Sequence, residues 1–346
     1  MSGDRQPSQG TGKVAIDSTS LIVGSGSIAR RHLANLRMLR PKSRIIVLRR
    51  PQSDSGELPG ADQVVDTLDD AIRERPETAI VANPSPFHIP VAQVLAEAGC
   101  HLLVEKPFSD RMDGSDALID TCASRGVTLM VGYNLRFCPS LQAMVRMVAD
   151  GAAGRILHVS AEIGQYLPDW RPATDYRVGV TAQARLGGGA LLELSHEIDI
   201  ALWLGGPAAS VTASLGRVGD LEIDTEDFAD VLINFSSGAR GYVHMDVLQR
   251  VPTRRCRVVG SEGTLEWDYF EDTLRLGRPG ETWRQLEVPR LNQRNDMYLN
   301  ELTHFLACVE QGVLPLVPGS VGRDVLAVAL AARESAATKK TIEMQR

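Results

Sequence analysis

The stretch Leu21-Ile22-Val23-Gly24-Ser25-Gly26-Ser27-Ile28-Ala29, continued by RRHLANLRML to Leu39, decides how the first third of the chain folds. An apolar run without polar alternation reads as a strand covered on both faces, and the apolar spacing after it reads as a helix. Between them Gly24 permits a tight turn, Gly26 lets the backbone approach a pyrophosphate, and Ala29 lets the helix pack close to the sheet. The helix N-terminus presents its amides to the anion. With Ser25, Ser27 and Ile28, these residues are the candidate cradle for a dinucleotide.

Working outward, SLIVG, RIIVL, TAIVAN, HLLVE and VTLMVG alternate with helix-period segments up to about residue 132. Strict alternation of this kind implies parallel strands joined by crossovers, hence a doubly wound Rossmann sheet. Beyond Pro139 the texture changes to a helix, a loop rich in Trp, Arg, Asp and Tyr, a glycine triplet, and a helix from about Leu191 to Leu204. Several alternating segments separated by turn dipeptides follow, which predicts an α+β domain with a large, mainly antiparallel open sheet. Two helices, Met297 to Gln311 and Gly322 to Ala337, close the pattern. The expected division is a flexible polar segment over 1–19, a nucleotide domain over 20–135, and a substrate and oligomerisation domain over 136–346.

The composition supports a two-domain globular chain and excludes several classes. There are 346 residues, 43% of them hydrophobic and 23% charged, with a net charge of -6 that gives no push toward nucleic acid or an anionic membrane. No apolar run approaches the roughly 20 residues of a membrane-spanning helix. The first twenty residues lack the apolar stretch of a secretory signal. The 5 cysteines are scattered and odd in number, against a disulfide framework. A cytoplasmic location follows as the expectation. No grouping of His, Cys and carboxylates along the sequence has metal-ligand spacing, so no metal is expected.

The second expected strand runs into Arg49 and Arg50, where an NAD-preferring site would place a carboxylate. Two guanidiniums there suit a 2′-phosphate, so NADP(H) is the favoured cofactor, with NAD(H) the alternative. At the carboxyl edge of the same sheet lie Asn83-Pro84, opening NPSPFH with His88, and Glu105-Lys106-Pro107. Ligands of open α/β sheets bind at that edge.

This ordered set, GSGSIA, NPSPFH, EKP, VGYNLRF at 131–137, GGGALLELSHEIDIALWLGG from Gly187 and the late YLNELTHFLACVEQG, resembles the glucose-fructose oxidoreductase / inositol dehydrogenase / rhizopine-catabolism (Gfo/Idh/MocA) family. The resemblance implies an NAD(P)-dependent oxidoreductase acting on a sugar or sugar derivative, with Lys106 and His196 as the catalytic pair. It places Tyr133, Asn134 and Arg136 near the cofactor and the domain junction, with Tyr133 among the substrate contacts. It gives the second sheet the subunit contacts, hence a homodimer or homotetramer.

Hydride transfer from a secondary alcohol needs a base for the hydroxyl proton and a cation for the developing oxyanion; His196 and Lys106 suit these tasks. The imidazole would be steered by Glu193, three residues before it on one helix, or by Asp199, three residues after. The family often has Asp four residues before the histidine, and this chain departs from that. The loop before the glycine triplet offers Tyr166, Trp170, Arg171, Asp175, Tyr176 and Arg177. Aromatic faces with interleaved arginines suit a sugar, including an anionic or nucleotide-linked one. The same residues also fit a non-catalytic NADP(H)-binding sensor, or a reductase of a C=N or C=C bond.

Overall fold

The computed structural model describes residues 18–50 and 56–344; the lead-in expected over 1–19 falls outside it as far as residue 17. The first sheet is built by β1 (Thr19–Val23), α1 (Ser27–Leu39), β2 (Arg44–Leu48), β3 (Gln63–Val65), α2 (Leu68–Arg73), β4 (Thr78–Val81), α3 (His88–Glu97), β5 (His101–Glu105), α4 (Ser115–Arg125) and β6 (Leu129–Gly132). Its strand order is β3-β2-β1-β4-β5-β6, all parallel. The strands are short and buried on both faces, as their unbroken Val, Leu and Ile runs require. The order reverses between β1 and β4, so Gly24 and Asn83 meet at the switch point.

The second part comprises α5 (Pro139–Ala149), β7 (Ile156–Gly164), α6 (Ala190–Glu193), α7 (His196–Gly205), β8 (Ala208–Gly216), β9 (Phe228–Phe235), β10 (Arg240–Asp246), β11 (Thr253–Gly260), β12 (Thr264–Asp268), β13 (Thr273–Gly277), β14 (Arg284–Gln285), α8 (Asn295–Gln311), α9 (Gly319–Thr338) and β15 (Ile342–Glu343). Its 9-stranded sheet has the order β14-β13-β12-β11-β7-β10-β9-β8-β15. Its pairings are antiparallel except for β7 with β10. This is the mixed, mainly antiparallel sheet that the alternating segments imply. One face, carrying Val231, Ile233, Val243, Cys256 and Val258, is buried, and α7 packs against β7 and β10. The other face carries Arg255, Arg257 and Glu266 in cross-strand ion pairs, and Leu232 stands exposed on it.

The two closing helices reach back to the first part, although α9 also packs along β8 of the second sheet, where Ser335 Oγ accepts from Ala213 N–H at 3.0 Å. α8 packs on α1, where the side-chain amides of Asn35 and Asn295 exchange hydrogen bonds of 2.8 and 3.3 Å. At the start of α9, the Val317 carbonyl accepts from Val131 N–H of β6 at 2.9 Å. Among the described residues no helix is long and apolar enough to cross a membrane.

One expected helix is two. The stretch from Leu191 to Leu204 breaks at Leu194 and Ser195, between α6 and α7. The glycine triplet ahead of it lies flat against the preceding loop: a Cβ on Gly188 would stand 2.1 Å from the Val180 carbonyl oxygen. Gly188→Ala therefore displaces the loop or the start of α6. The expected cost is about 1–3 kcal/mol of stability, the range typical of forced overpacking, read as a lower denaturation midpoint with an unchanged m-value.

Candidate active site

Gly24 leaves β1 at φ +111°, and a Cβ there would lie 2.8 Å from the Ala82 carbonyl oxygen, so the turn requires glycine. Gly26 caps α1 with nothing within 4 Å of a Cβ position. The first turn, Ser27 to Ala29, has no side-chain cap and no acidic residue. Open space in front of uncapped helix amides fits the pyrophosphate of a dinucleotide. Ser25 belongs to the same turn, and its carbonyl accepts from Arg30 Nε at 3.1 Å.

Lys106 follows β5 directly. Its ammonium donates to the Glu193 backbone carbonyl at 2.7 Å and lies 3.9 Å from the Glu193 carboxylate. The other oxygen of that carboxylate accepts from the Thr181 hydroxyl at 3.0 Å. The end of β5 is thus tied to the end of α6, and Lys106 and Glu193 share one polar corner.

His196 opens α7 and is nearly buried. The Tyr133 ring meets it edge-on at 5.4 Å, and the Tyr133 hydroxyl donates to Ser195 Oγ at 3.2 Å. Burial, and after it the positive charges of Lys106, Arg254 and Arg294, hold the imidazole well below its ordinary pKa. It is therefore neutral at neutral pH and able to accept a proton. Its Nδ1 is buried without a hydrogen-bond partner among the described residues.

That geometry corrects the expected steering carboxylates. Asp199 is fully buried and gives both oxygens to Arg136, at 2.8 to 3.1 Å, leaving none for the imidazole. Because Glu193 and His196 flank a helix break, they are not neighbours one turn apart, and Glu193 faces Lys106 and Thr181 instead. The same pairing withdraws Arg136 from the cofactor. Tyr133, expected to touch substrate, is fully buried and spends its hydroxyl on Ser195.

The rest of the expected cofactor set divides. Asn83 and Pro84 sit just past β4, as the edge rule predicts, and Asn134 is buried in the turn after β6. His88 is a strut: its ring nitrogens stand 2.9 Å from the Pro107 carbonyl and 2.7 Å from that of Asn83, and burial keeps it neutral. The Glu105 carboxylate faces His32 on α1 rather than the cleft. Arg49 donates to the Gly56 carbonyl at 3.0 Å, and the Arg50 guanidinium lies 4.9 Å over the Phe87 ring. Residues 51–55, which continue that loop, lie outside the described residues.

The aromatic loop is also satisfied within its own domain. Tyr166 lies under the Arg250 guanidinium, Trp170 Nε1 donates to the Gln165 carbonyl, and the Tyr176 hydroxyl accepts from Glu222 N–H. Arg177 is clamped by Asp175 and Glu222, so its charge is already met before any anion arrives. Arg171 is exposed.

Four participants escape the sequence reading. Ser195 and Glu197 flank His196; Glu197 is buried and pairs with Arg254 of β11 at 2.8 Å. Thr181 holds the Glu193 carboxylate from the loop. His32 meets Glu105 at 2.6 Å beneath Lys106. Only Glu197, a charge on an otherwise apolar helix face, carried a visible signal. One buried cluster also has no trace in the spacing along the chain: the fold gathers His32, Glu105 and Glu301 from three distant segments.

Comparison with known proteins agrees with this architecture. Residues 19–133 match the model of the oxidoreductase family with NAD-binding Rossmann fold, and residues 141–266 match the GFO/IDH/MocA C-terminal domain. The chain is 27% identical to D-apiose dehydrogenase of Paraburkholderia graminis, over 94% of this chain and 89% of that protein. Levoglucosan dehydrogenase in complex with NADH superposes with a TM-score of 0.83 at 21% identity, covering 96% of this chain and 100% of that one. GenD2 from gentamicin A biosynthesis, in complex with NAD, gives 0.80 at 25% identity over 99% and 100%.

These complexes overturn the NADP(H) preference. Similar structures carry NADH or NAD, and the two arginines on which the preference rested have a backbone carbonyl and an aromatic ring as partners. With both halves of the chain matched and the phosphate loop, lysine edge and second sheet in place, the chain belongs to the GFO/IDH/MocA family and is an oxidoreductase acting on CH–OH groups.

Proposed function

We propose that this protein is an NAD(H)-dependent dehydrogenase that oxidises a secondary alcohol of a sugar or sugar derivative, using Lys106 and His196. The observation that carries the reading is geometric: at the carboxyl edge of the nucleotide sheet the Lys106 ammonium donates to the Glu193 carbonyl, three residues ahead of the buried His196 that opens α7. A base and a cation so placed fit the two demands of alcohol oxidation.

When bound, the nicotinamide supplies the hydride acceptor. The amides of the first turn of α1, behind Gly24 and Gly26, hold the pyrophosphate. His196 receives the hydroxyl proton as a neutral imidazole. Lys106, anchored on Glu193, stabilises the oxygen as negative charge develops there. The Tyr133 ring and the Ser195 turn fix the position of the imidazole, and Arg254 on Glu197 holds α7 against β11. The relatives named for D-apiose and levoglucosan support a carbohydrate substrate. Residues 20–135 would hold the cofactor and residues 136–346 the sugar and the subunit contacts.

Three outcomes test this reading. His196→Ala and Lys106→Ala each lower kcat by about 100-fold or more, while NADH fluorescence titration shows unchanged binding. For the wild type, kcat/KM rises with pH through a value below 6.5, the ordinary histidine pKa, and is flat at neutrality, because a base with a depressed pKa is already unprotonated there. An acid limb centred above pH 7 contradicts it.

NAD+ is used with a kcat/KM at least about tenfold above that for NADP+, about 1.4 kcal/mol of discrimination. Equal use of the two contradicts the cofactor assignment.

The exposed face of the second sheet is the proposed subunit contact, since it joins charged cross-strand pairs to the exposed Leu232. Leu232→Glu is expected to shift the mass measured by light scattering toward the monomer.

A further inference from the structure

Beneath the proposed Lys106–His196 pair, the protein buries a cluster of titratable groups from three elements: His32 on α1, Glu105 ending β5, and Glu301 on α8. Donor atoms of the three lie within 4.8 Å of one another. His32 Nε2 is 2.6 Å from Glu105 Oε1, while Glu105 Oε2 accepts from Lys106 N–H at 3.1 Å. Gly132, opposite Glu105 on β6, makes room for that carboxylate; a Cβ there would stand 3.1 Å from Oε2. Neither oxygen of Glu301 has a hydrogen-bond partner among the described residues.

Two chemistries could reconcile two carboxylates with full burial. A divalent cation would spread its ligand atoms to about 3 Å or more for bonds of about 2.1 Å, and the 2.6 Å contact of His32 with Glu105 is too close for that. A retained proton asks for no such rearrangement. Desolvation and, next, the charge of Glu105 push the Glu301 carboxyl well above its ordinary value. The groups facing it from the packed elements are Glu105 of β5 and His32 of α1, with Tyr298 on α8 itself, and Arg31 and Arg294 reach the cluster only as far as Tyr298. Tyr298 meets the His32 ring edge-on at 6.3 Å and lies under the Arg31 guanidinium. None of these cations pairs with Glu301 among the described residues.

We infer that Glu301 is a positioning residue held as the neutral acid, which with His32 keeps the Glu105 carboxylate on the Lys106 amide and so fixes the strand end that presents the lysine. The kinetic half of this inference rests on the proposed role of Lys106. The retained proton is testable without turnover.

Denaturant unfolding of the whole wild-type chain and of Glu301→Gln is followed from pH 5 to 9. A native state that keeps a proton the unfolded chain has released above the ordinary carboxylate value of 4.5 loses stability as pH rises toward its raised folded value. The wild-type unfolding constant is therefore expected to climb relative to that of Glu301→Gln by up to about tenfold per pH unit. Parallel curves overturn the inference, as does stoichiometric Zn2+ binding by the wild type that Glu301→Gln abolishes.

In turnover, Glu301→Gln retains kcat within about threefold, whereas Glu301→Ala loses about tenfold or more with KM for NAD+ within about twofold. Glu301→Leu, which fills the volume without a polar group, replaces Glu301→Ala if that variant does not fold. If Lys106→Ala is inactive while the Ala or Leu variant keeps full kcat, the positioning role is overturned. If Lys106→Ala itself stays active, the catalytic reading fails, and the unfolding curves still decide whether Glu301 keeps its proton.

Discussion

A guanidinium and a carboxylate closed off from water hold the two parts of this protein in register. Arg136 comes from the turn that follows β6, Asp199 from the first turn of α7, and they meet in a three-bond fork with side-chain exposures of 8% and 0%. The Arg136 guanidinium also lies 4.7 Å over the Trp203 ring, and its backbone carbonyl accepts from Gln142. Burying such a pair costs several kcal/mol of desolvation per ion, so its contribution to net stability is small. Its geometric demand is large. It fixes the rotation of α7 about its own axis, and with it the place of His196 relative to the end of β5.

The active corner follows from that constraint. With α7 fixed, Ser195 falls under Tyr133, the Glu193 carbonyl falls on Lys106, and Glu197 falls on Arg254. Each polar group spends its capacity on an element that must not move. The imidazole is the exception: burial and nearby positive charge keep it neutral, and its Nδ1 has no acceptor among the described residues. Tuning by field rather than by a partner carboxylate sets this site apart from the Asp-x-x-x-His spacing that the family resemblance leads one to expect.

Much of this was legible in the sequence, and the limits have physical causes. Parallel strands announce themselves as unbroken apolar runs, so the edge position of Gly24, Asn83 and Lys106 could be read directly. The break between Glu193 and His196 could not, because leucine and serine at 194 and 195 are compatible with a continuous helix, and what interrupts it is tertiary: the Glu193 carbonyl accepts from the Lys106 ammonium, and Glu197 N–H turns to the Leu194 carbonyl instead. Aromatic and arginine residues at 166–177 advertise a binding loop equally whether they face a ligand or their own domain. Arg49 and Arg50 misled for the same reason: charge type is visible in sequence, but the partner that consumes it is not. His32 and Glu301, separated by most of the chain, become neighbours only in the fold.

The return of α8 to the first sheet has a consequence for the order in which the molecule is made. The nucleotide sheet is complete in the chain once β6 has been synthesised, yet α1 still lacks its cover, Asn35 its partner amide and Val131 the carbonyl of Val317. A ribosome must add about half of the chain before those groups are met. Until then the early sheet carries an apolar flank that only late residues can close, so its final consolidation waits on contacts of very long sequence separation.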